Sequence, residues 1–224
     1  MRRRLAFLVV PALLLFVGPG AATADTLDQQ QTSHEGFIIT ECCALGQTFT
    51  AGLSGGLDRV ELYLGSAGLF GLPSLASPLK IEVRTVEENG APSAMVIASQ
   101  TVPASSVPES GAFVPIAFAP PPHVLTDTQY AIVAYEVVPA GNFTWFGQNG
   151  NPYPRGSAWT SVPPFATWRP AQGEFDLAFK TYVTTSPTNK EQCKNGGWEE
   201  FTGHNGTPFK NQGACVSDVA SGGS

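Results

Sequence analysis

The feature that most constrains this fold is a series of short β-type runs separated by glycine- and proline-rich breaks between residues 36 and 183. Several runs alternate apolar and polar residues with a period of two, as strands do when one face is buried. In residues 58–64, Val60, Leu62 and Leu64 share one face. Strands that each carry one apolar face must bury it between two packed sheets or inside a closed barrel.

The turn residues support the same interpretation. Asn89-Gly90 follows a β-type run and is a strong hairpin signal. Three consecutive prolines at 120–122 exclude a central strand there, because proline supplies no N–H to a ladder. No segment before residue 187 has a convincing helical period. About nine or ten strands in roughly 150 residues predict an all-β fold, a jelly-roll-like antiparallel β-sandwich over residues 36–183.

The N-terminus has the layout of a secretory signal peptide. Three arginines are followed by an apolar run, Leu5 to Val17, and by the small residues Ala22-Thr23-Ala24. The apolar run is about 13 residues long, short of the ~20 that a membrane span needs. We therefore expect cleavage near Ala24, secretion with no remaining transmembrane anchor, and a flexible polar lead-in over residues 25–35.

The charge of the mature chain limits the classes of partner that it can bind. The whole chain carries a formal charge of −6, and residues 1–24 hold three arginines and no acidic residue. Cleavage leaves nine basic residues against 18 acidic ones, a formal charge of −9. Without a Lys/Arg cluster, we expect no nucleic acid partner and no anionic membrane partner.

The four cysteines are expected to form disulfides in an exported chain. Four cysteines allow three connectivities. A bridge between Cys193 and Cys215 would stabilise the polar C-terminal loop by about 3 kcal/mol, and we predict this pair. Cys42 and Cys43 then remain, and the sequence leaves open a vicinal disulfide between them or two free thiols.

The C-terminal part has a different composition. A polar linker over residues 184–192 precedes an appendage and tail over residues 193–224. A capping-box pattern predicts a short helix over residues 189–195, and Thr207-Pro208 predicts the start of a second one. We therefore expect a small helical appendage held by the disulfide.

Several segments together resemble the β-sandwich domain of secreted bacterial choice-of-anchor type proteins. The resemblance covers about residues 40–183 and rests on residues 47–64, 125–133, 145–159 and 176–183. It implies an extracellular, noncatalytic module and supplies no catalytic residue. The tail segments 193–198 and 209–217 resemble a short C-terminal element of secreted bacterial, especially actinobacterial, proteins.

The motifs that could carry chemistry are weak. Residues 52–56 match G-x-S-x-G, but β-type runs flank them, so we interpret them as a glycine-rich hairpin loop. His34, His123 and His204 lie far apart without metal-ligand spacing. We predict no catalytic residue, no metal and no cofactor. A structural Ca²⁺ on Asp58, Asp176 or loop carbonyls is left open.

The richest cluster of aromatic residues lies between residues 143 and 170. Trp145, Tyr153, Trp159 and Trp168 stand there among amides and an arginine. These four side chains are our candidate glycan platform, since ligand sites combine aromatic walls with a few polar groups. The alternative is that they cap the core of the sandwich, because large rings dominate core burial.

Two functions follow from these observations. The first is a secreted noncatalytic β-sandwich module, a structural protein or one that contacts surface or matrix proteins. The second is a carbohydrate-binding module that uses the aromatic residues of segment 143–170.

Overall fold

The computed structural model describes residues 25–40, 43–67, 74–139, 141–162, 167–171, 174–187, 189–203 and 207–221. The expected signal peptide, Cys42, His204 and the first residue of the predicted capping box, Thr188, lie outside these ranges. Within them, no helix is long and apolar enough to cross a membrane.

The described residues form fourteen strands, two 3-10 helices and one α-helix. The strands are β1 (Thr26–Gln31), β2 (Gly36–Thr40), β3 (Ala44–Thr50), β4 (Gly55–Gly65), β5 (Leu79–Val86), β6 (Pro92–Val102), β7 (Ala112–Ala117), β8 (His123–Val124), β9 (Gln129–Glu136), β10 (Phe143–Asn149), β11 (Ala158–Ser161), β12 (Trp168–Pro170), β13 (Phe175–Leu177) and β14 (Phe179–Thr185). The 3-10 helices are Ala104–Ser106 and Gly197–Glu200, and α1 is Gln212–Ser221.

The strands form two antiparallel sheets. The eight-stranded sheet has the order β1-β14-β4-β10-β13, with β2 paired to β10 and with β7 and β8 paired to β4. The six-stranded sheet has the order β12-β11-β3-β9-β5-β6. The two sheets pack face to face, which confirms the predicted all-β sandwich.

The core lies between the two sheets. The alternation predicted for β4 is confirmed, because Val60, Leu62 and Leu64 are all fully buried. Phe49 of β3 and Phe179 of β14 meet across the layers, with ring centroids 6.1 Å apart. Burial of each such side chain stabilises the fold by about 1.5–3 kcal/mol.

The turn predictions are confirmed with one correction. Asn89 and Gly90 join β5 to β6, and Gly90 has a φ of 81°, a conformation that glycine adopts without steric cost. The three prolines 120–122 lie between β7 and β8. The G-x-S-x-G stretch 52–56, however, is not a hairpin loop, because it connects β3 of one sheet to β4 of the other.

The N-terminal lead-in is more regular than expected. Thr26–Gln31 is an edge strand paired with β14, and the Gln29 amide donates to Thr181 Oγ1 at 3.0 Å. Gln31 is buried, and its Nε2 donates to the Asp176 carbonyl at 3.2 Å. The strand is held by its backbone pairing with β14 and has Leu27 as its one apolar residue, so it shows no apolar alternation and the period-two criterion missed it.

The C-terminal appendage carries the predicted disulfide. Cys193 and Cys215 are bonded, with Cα atoms 5.7 Å apart, and both are fully buried. Thr202 joins the appendage to the sandwich, because its amide donates to the Thr185 carbonyl at 3.2 Å and its hydroxyl to the Thr184 carbonyl at 3.0 Å. A small helical appendage clasped by a disulfide is therefore confirmed.

Both helix positions predicted in the appendage were wrong. Residues 189–195 form turns, and a 3-10 helix begins at Gly197, where the first helix was expected to stop. Pro208 does not start the second helix, because it forms an isolated β-bridge with Thr202. The helix begins at Gln212 after Asn211, whose Oδ1 accepts the Ala214 amide at 2.9 Å as an N-cap.

Candidate functional site

Two of the four aromatic residues in the predicted glycan platform belong to the interior. Trp145 is fully buried, and its Nε1 donates to the Ala178 carbonyl at 2.9 Å. Tyr153 is 7% exposed, its hydroxyl donates to Gln29 Oε1 at 2.8 Å, and burial raises its pKa to about 12. Neither ring can stack on a sugar, so both fit the alternative of core-capping aromatics.

The other two platform residues lie on the outer face of the six-stranded sheet. Ala158 of β11 points into the core, so its neighbour Trp159 points outward, yet Trp159 is only 8% exposed. Trp168 of β12 is half-buried against a small outer cluster formed by Ala44, Ala131 and Val133. A cavity of about 360 Å³ lies beside Trp168 and is also lined by Glu87 and Asn89.

A buried ion pair lies near Trp168 on the same face. Arg84 Nε donates to Glu82 Oε2 at 2.8 Å, and the Tyr135 hydroxyl donates to Glu82 Oε1 at 2.9 Å. Burial and the Glu82 carboxylate raise the pKa of Tyr135 to about 12. The Arg84 guanidinium lies 5.9 Å from the Trp168 ring centroid. Each charged group here has a protein partner, so we assign the cluster a structural role that holds Trp168 in place.

An aromatic strip crosses the outer face of the eight-stranded sheet. It consists of Phe37, Phe146, Tyr63 and Phe113, with ring centroids 6.2, 5.3 and 5.1 Å apart in that order. Each contact is edge-to-face, the arrangement that aromatic pairs favour. Phe37 is 41% exposed, and the other three side chains are half-buried. The strip therefore presents aromatic surface to solvent from four separate strands.

Two glycines lie beneath the strip. A Cβ at Gly111, which has a φ of 83°, would lie 2.9 Å from both Phe146 and Tyr63. A Cβ at Gly65 would lie 3.0 Å from Phe146. Their missing side chains leave room for the Phe146 and Tyr63 rings to approach the backbone at these two positions.

Polar side chains lie beside two rings of the strip, His34 at Tyr63 and Lys180 with Glu61 at Phe113. The His34 ring stacks on Tyr63 with centroids 3.9 Å apart. Lys180 Nζ lies 4.0 Å from the Phe113 centroid and donates to Glu61 Oε2 at 3.0 Å. Aromatic surface with a cation and a carboxylate beside it can contact both apolar and polar groups of a ligand.

A second feature, the edge cleft, opens between the two sheets at one side of the sandwich. It lies between β2, β10 and β13 of the eight-stranded sheet and β11 and β12 of the six-stranded sheet, and its volume is about 560 Å³. Its lining includes Phe37, Asn149, Thr160, Arg169, Ala171 and Phe175.

The polar residues of the edge cleft occupy positions that point between the sheets. Thr160 follows the core residue Ala158 by two positions and is paired with Arg169 across the ladder, so both share the inward face. Asn149 shares the inward face of β10 with Trp145. Such positions are apolar where a sandwich is closed, so their polarity shows that the sheets part here.

Arg169 differs from the other arginines of the described chain. Those three form ion pairs, namely Arg59 with Asp25 and Glu61, Arg84 with Glu82, and Arg155 with Asp127. Arg169 is exposed, and its guanidinium has no hydrogen bond or ion pair to any described residue. Its guanidinium is therefore available to a ligand in the edge cleft.

Phe37 belongs to both features. Its ring is the end of the aromatic strip next to Phe146, and it also lines the edge cleft. Phe37 is therefore the residue that the strip and the cleft share.

A contrasting polar cluster lies inside the sandwich. Gln47 Nε2 donates to Asp176 Oδ1 at 3.0 Å, and Gln47 Oε1 accepts the Leu177 amide at 2.7 Å. Asp176 Oδ2 accepts the Tyr153 amide at 2.9 Å. Burial raises the pKa of Asp176 above its usual 3.8. These groups satisfy one another and link the two sheets.

The residues considered for a metal do not assemble. The described residues contain no group of three or more His, Cys, Asp or Glu side chains that could hold an ion. Asp176 is engaged by Gln47 and Tyr153, and Asp58 accepts the Thr184 hydroxyl. The two aspartates considered for Ca²⁺ therefore already have protein partners.

The serine of the G-x-S-x-G stretch has a structural setting. A strand follows it where a nucleophile elbow requires a helix. Ser54 Oγ lies 3.1 Å from Thr126 Oγ1 and accepts the Thr126 amide at 2.9 Å. These bonds tie the inter-sheet connection to the loop before β9.

Sequence reasoning missed the strip and the cleft. The alternation in residues 58–64 puts Tyr63 on the face opposite Val60, Leu62 and Leu64, but no local pattern brings Phe37, Phe113 and Phe146 next to it, because their strands are distant in sequence. The available signal was an aromatic residue at an outward position of an alternating strand. Arg169 carried no such signal, since its place in the cleft depends on its pairing with β11.

Comparison of the chain with protein-family models, with curated proteins and with solved structures finds no match.

Proposed function

We propose that this chain is an exported, noncatalytic β-sandwich module that acts by binding a partner at a cell surface or in the extracellular matrix. The aromatic strip is the observation that carries this proposal, because contiguous aromatic surface on a soluble domain marks an interaction site. The layout of residues 1–24 supports export, and the Cys193–Cys215 disulfide is compatible with it. The resemblance to choice-of-anchor type domains supports the same role.

The second candidate function is carbohydrate binding. It is favoured by the position of Phe37, which belongs to the aromatic strip and also lines the edge cleft together with Asn149 and Thr160. Sugar rings stack on aromatic faces, while amides and hydroxyls bind their hydroxyl groups. The candidate platform thus moves from Trp145 and Tyr153 to the surface around Phe37, and Trp168 remains available on the opposite sheet.

One experiment tests the noncatalytic assignment and the carbohydrate-binding candidate. The mature chain, residues 25–224, is applied to a glycan array and to insoluble polysaccharides, and both the retained fraction and the release of new reducing ends are measured. We expect retention without release. Sustained release of reducing ends would overturn the noncatalytic assignment, and retention on no glycan would remove the carbohydrate candidate.

Variants of the strip locate the binding surface. Phe37→Ala and Tyr63→Ala are each expected to weaken retention at least about tenfold, because aromatic residues at the centre of an interface contribute on the order of 2 kcal/mol. The matched control is Met95→Ala, since Met95 is 65% exposed on β6 of the other sheet. Equal retention by all three variants would exclude the strip.

A further inference from the structure

We propose that the edge cleft binds a saccharide that carries a carboxylate, that is, a uronic acid unit, with Arg169 as the anchor of the carboxylate. This inference deepens the carbohydrate-binding candidate and rests on it. It names the chemical class of the ligand and the residue that selects it.

The carboxylate preference follows from Arg169. A guanidinium presents a planar fork of N–H donors that matches a carboxylate with two parallel hydrogen bonds. In the described chain, Arg169 is the arginine without a carboxylate partner, and it lines an open cavity of about 560 Å³. That volume falls within the range of about 300–1,000 Å³ typical of small-ligand sites.

The saccharide follows from the rest of the lining. Phe37, which is 41% exposed, lies at the rim of the cleft, and Phe175, which is 7% exposed, forms an aromatic wall against the backbone of Gly36. Asn149 and Thr160 add an amide and a hydroxyl at half-exposed or exposed positions. A sugar ring offers an apolar face to the wall and hydroxyl groups to these two side chains.

The charge of the chain argues for a ligand with isolated negative charges. The mature chain carries a formal charge of −9 and repels dense polyanions. One arginine suffices for one carboxylate, whereas nucleic acids and anionic membranes require clusters of basic residues. A uronate places one carboxylate on an otherwise neutral ring, which suits a single cation.

The position of these residues strengthens the inference. Asn149, Thr160 and Arg169 point between the sheets, where apolar residues would close the sandwich and stabilise it. The polar residues at this edge contribute no apolar burial and leave the cleft open. Their presence is not explained by packing of the core, but it is explained if a ligand binds in the cleft.

The experiment measures binding by calorimetry with the full mature chain. The probes are short oligosaccharides that each carry a single uronic acid unit, galacturonic, glucuronic, mannuronic or guluronic, together with the methyl ester of the galacturonic acid oligomer, in which the charge is removed and the ring is kept. We expect at least one acidic oligomer to bind and at least a tenfold preference for acid over ester if that oligomer is galacturonate. For any other acidic oligomer, its own methyl ester serves as the comparison.

The variants identify the anchor. Arg169→Gln is expected to weaken binding of the acidic oligomer at least about tenfold, and Arg169→Lys is expected to restore part of it. The control Arg155→Gln removes an exposed arginine that is paired with Asp127 and should leave binding unchanged. Because Arg169 has no partner in the described chain, its variants are expected to keep the unfolding midpoint of the original protein.

Several results would overturn the inference. The first two are that no acidic oligomer binds, or that an acid and its methyl ester bind with equal affinity. The third is that Arg169→Gln binds the acidic oligomer as tightly as the original protein does. The fourth is that inorganic phosphate, or a peptide with a free C-terminal carboxylate, binds as tightly as the acidic oligomer. Retention on neutral glycans that persists in Arg169→Gln would overturn this inference alone. Loss of all glycan retention would overturn it together with the carbohydrate-binding candidate.

Discussion

Two groups of polar side chains lie between the sheets of this sandwich, and they differ in what they contact. Gln47 and Asp176 come from opposite sheets and bond to each other, so they link the layers across the buried interior. Asn149 and Arg169 also come from opposite sheets, but they line an open cleft. The guanidinium of Arg169 has no hydrogen bond or ion pair to a described residue.

This difference in contacts distinguishes polar side chains that have a structural role from polar side chains that a ligand can bind. A buried polar side chain must find a protein partner, because an unsatisfied donor or acceptor costs about 1–3 kcal/mol. An exposed one is solvated by water and needs none. The inner cluster therefore contributes to stability, and the edge cleft is expected to contribute to binding.

The largest effect is expected when the inner cluster is broken. Asp176→Ala leaves one N–H of Gln47 Nε2 and the Tyr153 amide without an acceptor, so we expect a loss of about 2–4 kcal/mol in the free energy of unfolding. Urea unfolding measures it. The control is Glu88→Ala, whose side chain is exposed and forms no ion pair with a described residue, and it should change stability by less than about 0.5 kcal/mol. Similar losses in both variants would contradict the structural role of Asp176.

A smaller effect is expected in the pH dependence of stability. Burial raises the pKa of Asp176 in the folded chain above the 3.8 of the unfolded one, so the folded state binds the proton more tightly. Its contribution to the free energy of unfolding is therefore full below pH 3.8 and is lost as the pH rises through the folded-state pKa. Asp176→Asn should remove this contribution, and the difference appears when unfolding of both proteins is measured across that range. If Asp176→Asn and the original protein showed the same pH dependence of the free energy of unfolding, the raised pKa of Asp176 would be contradicted.

The smallest effect on stability is expected at the edge cleft. Arg169→Gln removes no hydrogen bond to a described residue, so the free energy of unfolding should change by less than about 0.5 kcal/mol. The same urea titration measures it. If Arg169→Gln lowered the free energy of unfolding as much as Asp176→Ala does, Arg169 would have to hold the two sheets together. The edge cleft would then have the same structural role as the inner cluster.

Local patterns predicted much of the framework. The alternation in residues 58–64 and the Asn89-Gly90 turn act over a few residues, so their structural meaning can be derived from the chain alone. The Cys193–Cys215 pair was predicted because it closes a short loop. The strand β1 was missed, because its pairing depends on hydrogen bonds to β14, about 150 residues away in sequence.

The candidate site depended on contacts between distant segments. The aromatic-rich segment 143–170 indicated a platform, but Trp145 and Tyr153 became core residues once β10 and the following loop packed against β14. Composition alone does not tell which side of a sheet an aromatic residue faces when the strand's partners are unknown. The exposed aromatic surface is built instead from Phe37, Tyr63 and two further strands.

The amino-acid sequence by itself determined that this chain forms a two-sheet β-sandwich with a disulfide-bonded appendage, because strand periodicity, turn residues and cysteine spacing act locally. Only the tertiary structure decided which aromatic residues are exposed and which arginine lies without a partner. Those properties arise from strand pairing and from the parting of two sheet edges at β2 and β12. No local pattern encodes such contacts, because each joins segments that are far apart along the chain.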